Sequence, residues 1–312
     1  MLALAAAIWG FAFVAQRVGA DYVGPLTFSS ARFAIAAVFL WCVIAVRDGR
    51  RGIPMARRWA MTKRALLPGI LVGAVLALAG GLQQAGMTEA VVGRAATAGE
   101  AAFITGLYMV LVPLVGSFLG HRVHWPIVAG VALAVVGLYL ISVTDGLSIS
   151  LGNVLVLACA FGWTAHILLI DRFSKRLSVL RLAAIQFVAC SVVSALLSPL
   201  VDDAPFAGLA QAWVPLLYSG LLAGGVAFTL QVVAQRDALA AHASLIMALE
   251  SVFGALGGAL ILGENMGVRG YVGAALMVAG IAVSQVVATS KATKPSGDQG
   301  VGSRRSDAAR NE

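Results

Sequence analysis

The stretch LIMALESVFGALGG, residues 245–258, carries a single carboxylate, Glu250, near the centre of an otherwise apolar run. A charged side chain at the centre of a bilayer costs about 2.5–3.5 kcal/mol on insertion scales, so it must face protein or water. If the chain is a membrane protein, the stretch predicts a helix whose carboxylate is turned away from lipid. The composition of the whole chain decides whether that condition holds.

The composition is that of a membrane protein. Of the 312 residues, 60% are hydrophobic and only 12% are charged, and the mean hydropathy is +0.92. A soluble domain of this length needs far more polar surface. The alternative of a soluble all-helical protein requires polar stripes at helical spacing, and the sequence shows none.

Apolar runs of about twenty residues separate short blocks of charge, and about twenty helical residues cross the ~30 Å hydrocarbon core. The sequence therefore predicts an all-α integral membrane protein with ten transmembrane helices. The runs cover residues 2–17, 25–46, 66–87, 98–120, 125–143, 151–170, 182–201, 213–234, 240–262 and 267–288. Segment 47–64 is predicted to be the only long loop between helices. Segment 289–312 is predicted to be a disordered cytoplasmic tail, because it has too few apolar side chains to bury.

Lysine and arginine are distributed unevenly between the segments that join the runs. If the N-terminus is cytoplasmic, 18 of the 22 basic residues fall on the cytoplasmic side and three on the opposite side. Since cytoplasmic loops carry the excess of basic residues, we expect a multi-pass protein of the bacterial inner (cytoplasmic) membrane with both termini cytoplasmic. The net charge of +8 then needs no nucleic-acid partner. The first run has no charged region before it, which argues against a signal peptide, and whether Met1 is the true start is left open.

The two halves of the chain repeat each other. GSFLGHRVHWPIVAGVALAVVGLYLISV (116–143) and GALILGENMGVRGYVGAALMVAGIAVSQV (258–286) align with a shift of 143 residues. The shift superimposes Gly120 on Gly263, Gly130 on Gly273 and Gly137 on Gly280. The predicted repeats, residues 2–143 and 150–288, hold five helices each, and because five is odd the second repeat is inverted. Inverted repeats recur in secondary transporters, whose substrate sites lie near the midplane between the repeats.

Four motifs carry a resemblance to a known family. They are IWGFAF (8–13), ARF (31–33), AAFITGLYMVLVPLVGSFLG (101–120) and LIMALESVFGALGGALILGE (245–264). With these motifs in register over residues 2–288, the chain resembles the EamA group of the drug/metabolite transporter superfamily. The resemblance implies ten helices around a central cavity and export of small metabolites, often amino acids, without an ATPase. No cofactor is expected, and no particular substrate is implied.

The chain departs from the family pattern at two places. His121 occupies the position where the family commonly ends its fourth helix with an acidic residue, whereas Glu264 is kept in the ninth. Ser251 replaces the proline that often follows the ninth-helix glutamate, so we expect a straighter ninth helix. His121 and His124 have no third ligand near them in the sequence, and no metal site is expected.

Charged residues inside the runs have more than one interpretation. Gly254 follows Glu250 on the same helical face and would let another backbone approach closely. The Glu250 carboxylate then either lies on the path of substrate or protons, or is hydrogen-bonded to a neighbouring helix. Arg32 can snorkel to the interface, pair with a carboxylate such as that of Glu100, or bind a carboxylate of the substrate.

Uncharged polar and aromatic side chains in the runs predict the wall of a substrate cavity. Glutamines bind a zwitterion without a charge preference, and aromatic rings provide an adaptable apolar surface. The alternatives are interhelical hydrogen bonds for the glutamines and core or lipid packing for the rings. The predicted substrate-binding residues are Trp9, Gln83, Gln84, Tyr108, Trp163, His166, Gln231 and Gln235. Pro113 is expected to kink the fourth helix.

Together these features favour a secondary transporter that exports a small amino acid-like metabolite by alternating access. The alternatives are a non-transporting membrane receptor and an intramembrane enzyme, and an enzyme needs a compact catalytic motif that the sequence lacks. The expected partners are a small-molecule substrate and the lipid bilayer. Glycine-rich fifth and tenth helices leave open a homodimer in which they pack between protomers.

Overall fold

The computed structural model describes residues 1–120, 125–142, 150–263 and 267–292, and the regular structure in these ranges is helical throughout. The helices are α1 (Leu2–Ala20), α2 (Pro25–Arg50), α3 (Met55–Gly86), α4 (Glu89–Val92), α5 (Ala98–Gly106), α6 (Tyr108–Phe118), α7 (Trp125–Ser142), α8 (Leu151–Ser174), α9 (Val179–Val201), α10 (Trp213–Leu217), α11 (Phe228–Gln235), α12 (Ala240–Met247), α13 (Glu250–Ile261) and α14 (Gly267–Ala292). A π-helical segment, Tyr218–Ala227, joins α10 to α11. His121, His124, Glu264 and the tail from residue 293 onward lie outside the described residues.

Eight segments in the described ranges are long and apolar enough to cross a membrane. Each of them corresponds to one of the predicted apolar runs. The fifth and tenth runs form shorter apolar segments, Trp125–Gly137 and Gly267–Val283. The chain is thus a multi-pass, all-helical membrane protein, whereas the number of ten spans and the inversion of the repeats stay predictions.

The prediction of a long loop over residues 47–64 is wrong. α2 continues to Arg50 and α3 begins at Met55, so only a short turn joins them. Gly52 has a φ of +59°, which glycine adopts without steric cost, and Pro54 holds extended backbone before α3. The residues after Pro54 are mostly good helix formers. The basic segment 47–64 is therefore mostly helical, and it lengthens α2 and α3 beyond their apolar runs.

The fourth and ninth apolar runs are each divided into two helices. The division falls at Leu107 between α5 and α6, and at residues 248–249 between α12 and α13. At both places backbone N–H groups bond to the carbonyl three residues earlier, which tightens the helix locally. Pro113 lies inside α6 and not at the division. Beside the second division, Ser251 Oγ donates to Ala102 O in α5 (2.8 Å). The expectation of a straighter ninth helix stays a prediction.

α7 and α14 pack against each other through glycines within one chain. A Cβ added at Gly137 would lie 2.4 Å from the carbonyl oxygen of Gly273. One added at Gly280 would lie 2.5 Å from the carbonyl oxygen of Gly130. The shift of 143 residues maps Gly137 onto Gly280 and Gly130 onto Gly273, so each contact is the counterpart of the other. A two-fold relation between the two helices requires this. The glycine faces that suggested a homodimer are therefore used for packing within the protomer.

α2 and α9 are linked at both ends. The Asp202 carboxylate, at the end of α9, accepts hydrogen bonds from the backbone N–H groups of Leu26 (3.2 Å) and Thr27 (2.7 Å) at the start of α2. At the opposite end the buried Asp48 carboxylate, in the last turn of α2, pairs with Arg181 in the first turn of α9. The two links fix the position of the α2 residues that lie between them.

Candidate functional site

A central cavity lies where the first half of the chain (2–143) meets the second (150–288). Its volume is about 50 Å³, whereas small-molecule sites commonly have roughly 300–1,000 Å³. A substrate can therefore enter only if the helices move apart. The wall consists of Trp9, Ala12, Phe13, Gln16, Arg32, Phe33, Gln83, Thr105, Tyr108, Trp163, Ile167, Ser219, Ala223, Phe228, Gln231, Met247 and Glu250.

The structure brings most of the predicted site residues together on this wall. They are Trp9, Arg32, Gln83, Tyr108, Trp163, Gln231 and Glu250. The others lie away from the wall, and they are Gln84, Glu100, His166 and Gln235. The role of the wall residues in binding stays a prediction.

Two adjacent glutamines of α3 differ in their surroundings. Gln83 lines the cavity and donates from Nε2 to Thr105 Oγ1 (3.0 Å). Gln84 is fully buried and donates from Nε2 to the backbone carbonyl of Gln16 in α1 (3.1 Å). Consecutive helical residues point about 100° apart, so only one of the two can face the cavity. Gln84 thus follows the alternative interpretation, an interhelical hydrogen bond.

His166 and Gln235 are buried in the packing behind the wall. His166 Nε2 lies 2.9 Å from Gln186 Oε1, and Gln235 Nε2 donates to Ile167 O at 3.5 Å. The Trp163 ring packs edge-on against the imidazole, with the ring centroids 5.6 Å apart. These side chains hold α8, α9 and α11 together and do not reach the cavity surface.

Glu100 does not meet Arg32, so the pair suggested by the sequence is wrong. Glu100 closes the first turn of α5, where its carboxylate accepts from the Thr97 N–H (3.0 Å) and its own N–H donates to Thr97 Oγ1 (3.1 Å). Its other oxygen lies 3.7 Å from a guanidinium nitrogen of Arg94. A threonine three residues before a glutamate is the pattern of this reciprocal cap, and it was readable in the sequence.

Arg32 lies on the wall and is only 6% exposed, so it does not snorkel to the interface. Its guanidinium carbon is 4.8 Å from the ring centroid of Phe33 and 5.6 Å from that of Phe28. Within the described ranges no carboxylate is at salt-bridge distance from the guanidinium. Its Nε also has no hydrogen-bond partner there.

Phe228 is at the centre of an aromatic cluster that the sequence did not single out. Its ring centroid lies 4.8 Å from that of Trp9, 5.9 Å from that of Trp163 and 6.0 Å from that of Phe33. Offset and edge-on contacts of this kind are the favourable ones between aromatic rings. Phe228 lies three residues before Gln231 and thus on the same helical face, which is the signal that could have found it.

Glu250 is the first residue of α13, beside the division of the ninth run. α1 touches this helix through backbone, since a Cβ added at Gly10 would lie 2.3 Å from Phe253 Cβ and 2.7 Å from the carbonyl oxygen of Glu250. The Tyr108 hydroxyl lies beside the carboxyl group. Neither that hydroxyl nor Glu250 Oε1 completes a hydrogen bond in the described structure. The carboxyl group therefore faces the cavity with unused hydrogen-bonding capacity.

The comparisons with known proteins agree with this architecture. The model of the EamA-like transporter family matches residues 1–143 and 150–285. The chain belongs to this family. The resemblance drawn from the sequence motifs is thereby confirmed, and the chain is a membrane transporter.

Relatives of this EamA-like transporter carry matching names. An uncharacterized transporter of Archaeoglobus fulgidus is 29% identical over 284 residues, which are 90% of this chain and 83% of that protein. The uncharacterized transporter YoaV of Bacillus subtilis is 24% identical over 280 residues, 88% of this chain and 91% of that protein. A solved structure titled "Crystal structure of protein" has a TM-score of 0.73 at 19% identity and covers 92% of this chain and 97% of its own. It shows a shared fold.

Three polar wall residues of the EamA-like transporter were missed in the sequence, namely Gln16, Thr105 and Ser219. Ser219 Oγ is buried without a hydrogen-bond partner, and Thr105 Oγ1 receives the bond from Gln83. Single hydroxyl groups are weak signals in an apolar chain, because serine and threonine commonly bond to a carbonyl of their own helix.

The wall combines a few polar groups with a mostly apolar surface. In the part of the chain that the structure describes, no three His, Cys, Asp or Glu side chains form a group that could hold a metal ion. The wall has a guanidinium, a carboxyl group and three amides, as well as aromatic rings. Such a mixture of a few polar groups in an apolar surface is typical of small-molecule sites.

Proposed function

We propose that this EamA-like transporter exports a small amino acid-like metabolite across the bacterial cytoplasmic membrane by alternating access through the central cavity. The observation that supports the proposal most is the origin of the cavity wall, which takes residues from both halves of the chain. Polar atoms of the wall are buried without partners in the described structure, among them Trp163 Nε1, Ser219 Oγ and Gln231 Oε1. Buried polar groups are costly unless a ligand or water satisfies them.

The small volume of the cavity supports a mechanism in which the two halves move. A cavity of about 50 Å³ admits no metabolite until its wall opens. The divided fourth and ninth runs adjoin the cavity, since Tyr108 and Met247 of the wall flank the two divisions. Locally tightened turns inside helices often mark hinges. Rocking about them would open the site to one side of the membrane at a time.

A second cavity supports the orientation inferred from the basic residues. It has a volume of about 580 Å³, and its wall includes Arg47, Arg64, Arg176 and Arg236. The first two belong to the first half and the others to the second, and all four lie in segments that the charge distribution assigns to the cytoplasm. We therefore infer that this end of the molecule, and both termini, face the cytoplasm.

A flux measurement tests the proposed function. Purified protein is reconstituted in liposomes loaded with a mixed pool of labelled amino acids and related metabolites, and release is compared with protein-free liposomes. We expect release of at least one amino acid-like compound. Folded protein that binds such a compound but releases nothing, with and without a pH gradient, would support a receptor and contradict the proposal.

Two matched variants test whether the central cavity is the transport site. Ser219→Phe fills the cavity, so we expect flux to fall by at least about tenfold because the substrate position is occupied. Val38→Phe adds a ring at a position of α2 that is 65% exposed, and flux should stay at the wild-type rate. Equal flux in both variants would place the transport path elsewhere.

Glu250 is the candidate for proton coupling, and a pH gradient separates proton antiport from downhill release. If Glu250 carries the coupled proton, a gradient accelerates wild-type flux and Glu250→Gln no longer responds to it. A Glu250→Gln protein that keeps full pH-driven flux contradicts this role.

A further inference from the structure

Arg32 supplies the positive charge of the central cavity. It is the only lysine or arginine among the described wall residues, and it is 94% buried. α2 is linked to α9 on both sides of it, through Asp202 at one end and Asp48 at the other. The guanidinium also rests against α3, because a Cβ added at Gly80 would lie 3.0 Å from Arg32 Nη2.

The described part of the chain gives Arg32 no counter-ion. The ion pairs found there join other residues, and the carboxyl group of Glu250 on the same wall is not at salt-bridge distance. A buried guanidinium without an anion is strongly unfavourable. The rings of Phe28 and Phe33 offset part of this cost by cation–π attraction. They accept no hydrogen bond from Nε, which remains without a partner.

We propose that Arg32 binds a carboxylate group of the transported molecule and thereby selects carboxylate-bearing substrates. The proposal rests on the proposed function, since the anion is the substrate in the cavity. A guanidinium presents several N–H groups in one plane, and two of them match the two oxygens of a carboxylate. The two phenylalanine rings and Gly80 position that plane, and Nε has no hydrogen-bond partner in the described structure.

A purely structural role for Arg32 makes a different prediction. If the side chain only packs α2 against the phenylalanine rings and α3, its replacement changes stability and lowers the flux of all substrates alike. A binding role changes the preference between substrates that differ only in the carboxylate. The experiment therefore measures discrimination as well as rate.

The probes are three amino acids, L-alanine, L-leucine and L-phenylalanine, each paired with its amide. The amide keeps the size and the ammonium group and removes only the negative charge. Release of each labelled compound is measured from proteoliposomes and corrected for leakage from protein-free liposomes. For wild type we expect at least one acid to be released at least about tenfold faster than its amide, which is the effect of one lost charge-assisted contact.

Variants of Arg32 then test whether the preference for the acid over the amide depends on this residue. Arg32→Gln should lower release of the acid by about tenfold or more and leave that of the amide within about twofold, so the preference disappears. Arg32→Lys keeps the charge without the planar fork and should restore part of the preference. Gly80→Ala places a methyl group against the guanidinium and should weaken the preference, whereas Gly49→Ala, where no atom lies within 4 Å of the new Cβ, should not.

The outcomes separate this proposal from the proposed function. Release of acid and amide at equal rates by wild type overturns the carboxylate role while transport of amino acid-like molecules stands. Wild-type discrimination alone decides this even if Arg32→Gln fails to fold. A folded Arg32→Gln that still prefers the acid also overturns the proposal. Release of neither acid nor amide, with the mixed pool of metabolites retained as well, contradicts the proposed function, and the carboxylate role falls with it.

Discussion

Two buried arginines of this EamA-like transporter have opposite surroundings. Arg181, at the start of α9, is 1% exposed, pairs with the buried carboxylate of Asp48 and donates from Nε to Thr62 Oγ1 (3.1 Å). Arg32, in α2, is almost as deeply buried and has aromatic rings but no anion beside it in the described ranges. The first arginine joins two helices, whereas the second faces the cavity.

We infer from this difference that Arg181 has a structural role and Arg32 a role in binding. A chain that buries a guanidinium for stability supplies the partner itself, because the uncompensated charge is costly. A chain that buries one for binding leaves the partner to the ligand. The paired arginine should therefore control stability, and the unpaired one should control flux.

Replacing Arg181 should have the largest effect on stability. Arg181→Met removes the buried partner of the Asp48 carboxylate and leaves only the partly exposed Arg47 (3.2 Å) beside it. We expect the free energy of unfolding to fall by several kcal/mol, with about 3–5 kcal/mol as the upper limit. Thermal unfolding of the purified protein measures this. The double variant Asp48→Leu with Arg181→Met removes both charges and should recover most of the loss. A single variant as stable as wild type would show that the pair does not stabilise the fold.

α1 and α13 both contribute to the cavity wall, and they are joined by close contact at Gly10. Gly10→Ala would place a Cβ 2.3 Å from Phe253 Cβ, so α1 and α13 must separate. We expect a loss of about 1–3 kcal/mol in the free energy of unfolding, typical of overpacking. Gly49→Ala meets nothing within 4 Å and should be neutral or stabilising by up to about 1 kcal/mol. Equal midpoints for the two variants would contradict the close contact.

The second link between α2 and α9 should be weaker than the Arg181 pair. Asp202→Ala removes the acceptor for the N–H groups at the start of α2, and a lost helix cap costs about 1 kcal/mol. Asp203→Ala changes the adjacent exposed carboxylate and serves as the control. If both alanine variants unfold at the same temperature, Asp202 is not a stabilising cap.

The smallest effect on stability is expected at Arg32 itself. Arg32→Gln removes a charge that has no anion to lose, so the free energy of unfolding should change by less than about 1 kcal/mol or rise. Thermal unfolding of this variant beside Arg181→Met gives the comparison directly. A loss as large as that of Arg181→Met would make Arg32 a structural residue.

Most helices could be predicted from the sequence, because a span must be both apolar and about twenty residues long. The start of α3 at Met55 could not be predicted in this way, because charged residues end an apolar run without ending a helix. The division at Leu107 was also hidden, because Pro113, the residue expected to distort this run, lies six residues after it inside α6.

The residues of the candidate site could also be predicted only in part from the sequence. Polar residues such as Gln83 and Glu250 were found because they are rare and costly in an apolar run. Phe228 was not found, because the sequence alone does not distinguish a phenylalanine that lines the cavity from the other phenylalanines. The distinction depends on which helices pack beside it. The sequence also could not show that Arg32 lacks a counter-ion, because partners depend on contacts between distant segments.

Thermal unfolding with and without substrate tests whether the substrate binds in the cavity beside Arg32. The probe is the compound identified by release from proteoliposomes. At about a hundred times its dissociation constant a ligand stabilises the native state by about 2.7 kcal/mol. At the same concentration a site with tenfold weaker affinity stabilises by only about 1.4 kcal/mol. We predict that the compound raises the midpoint of Val38→Phe as much as that of wild type, and that of Arg32→Gln by about half as much or less. An equal rise in Arg32→Gln would show that Arg32 does not contribute to binding.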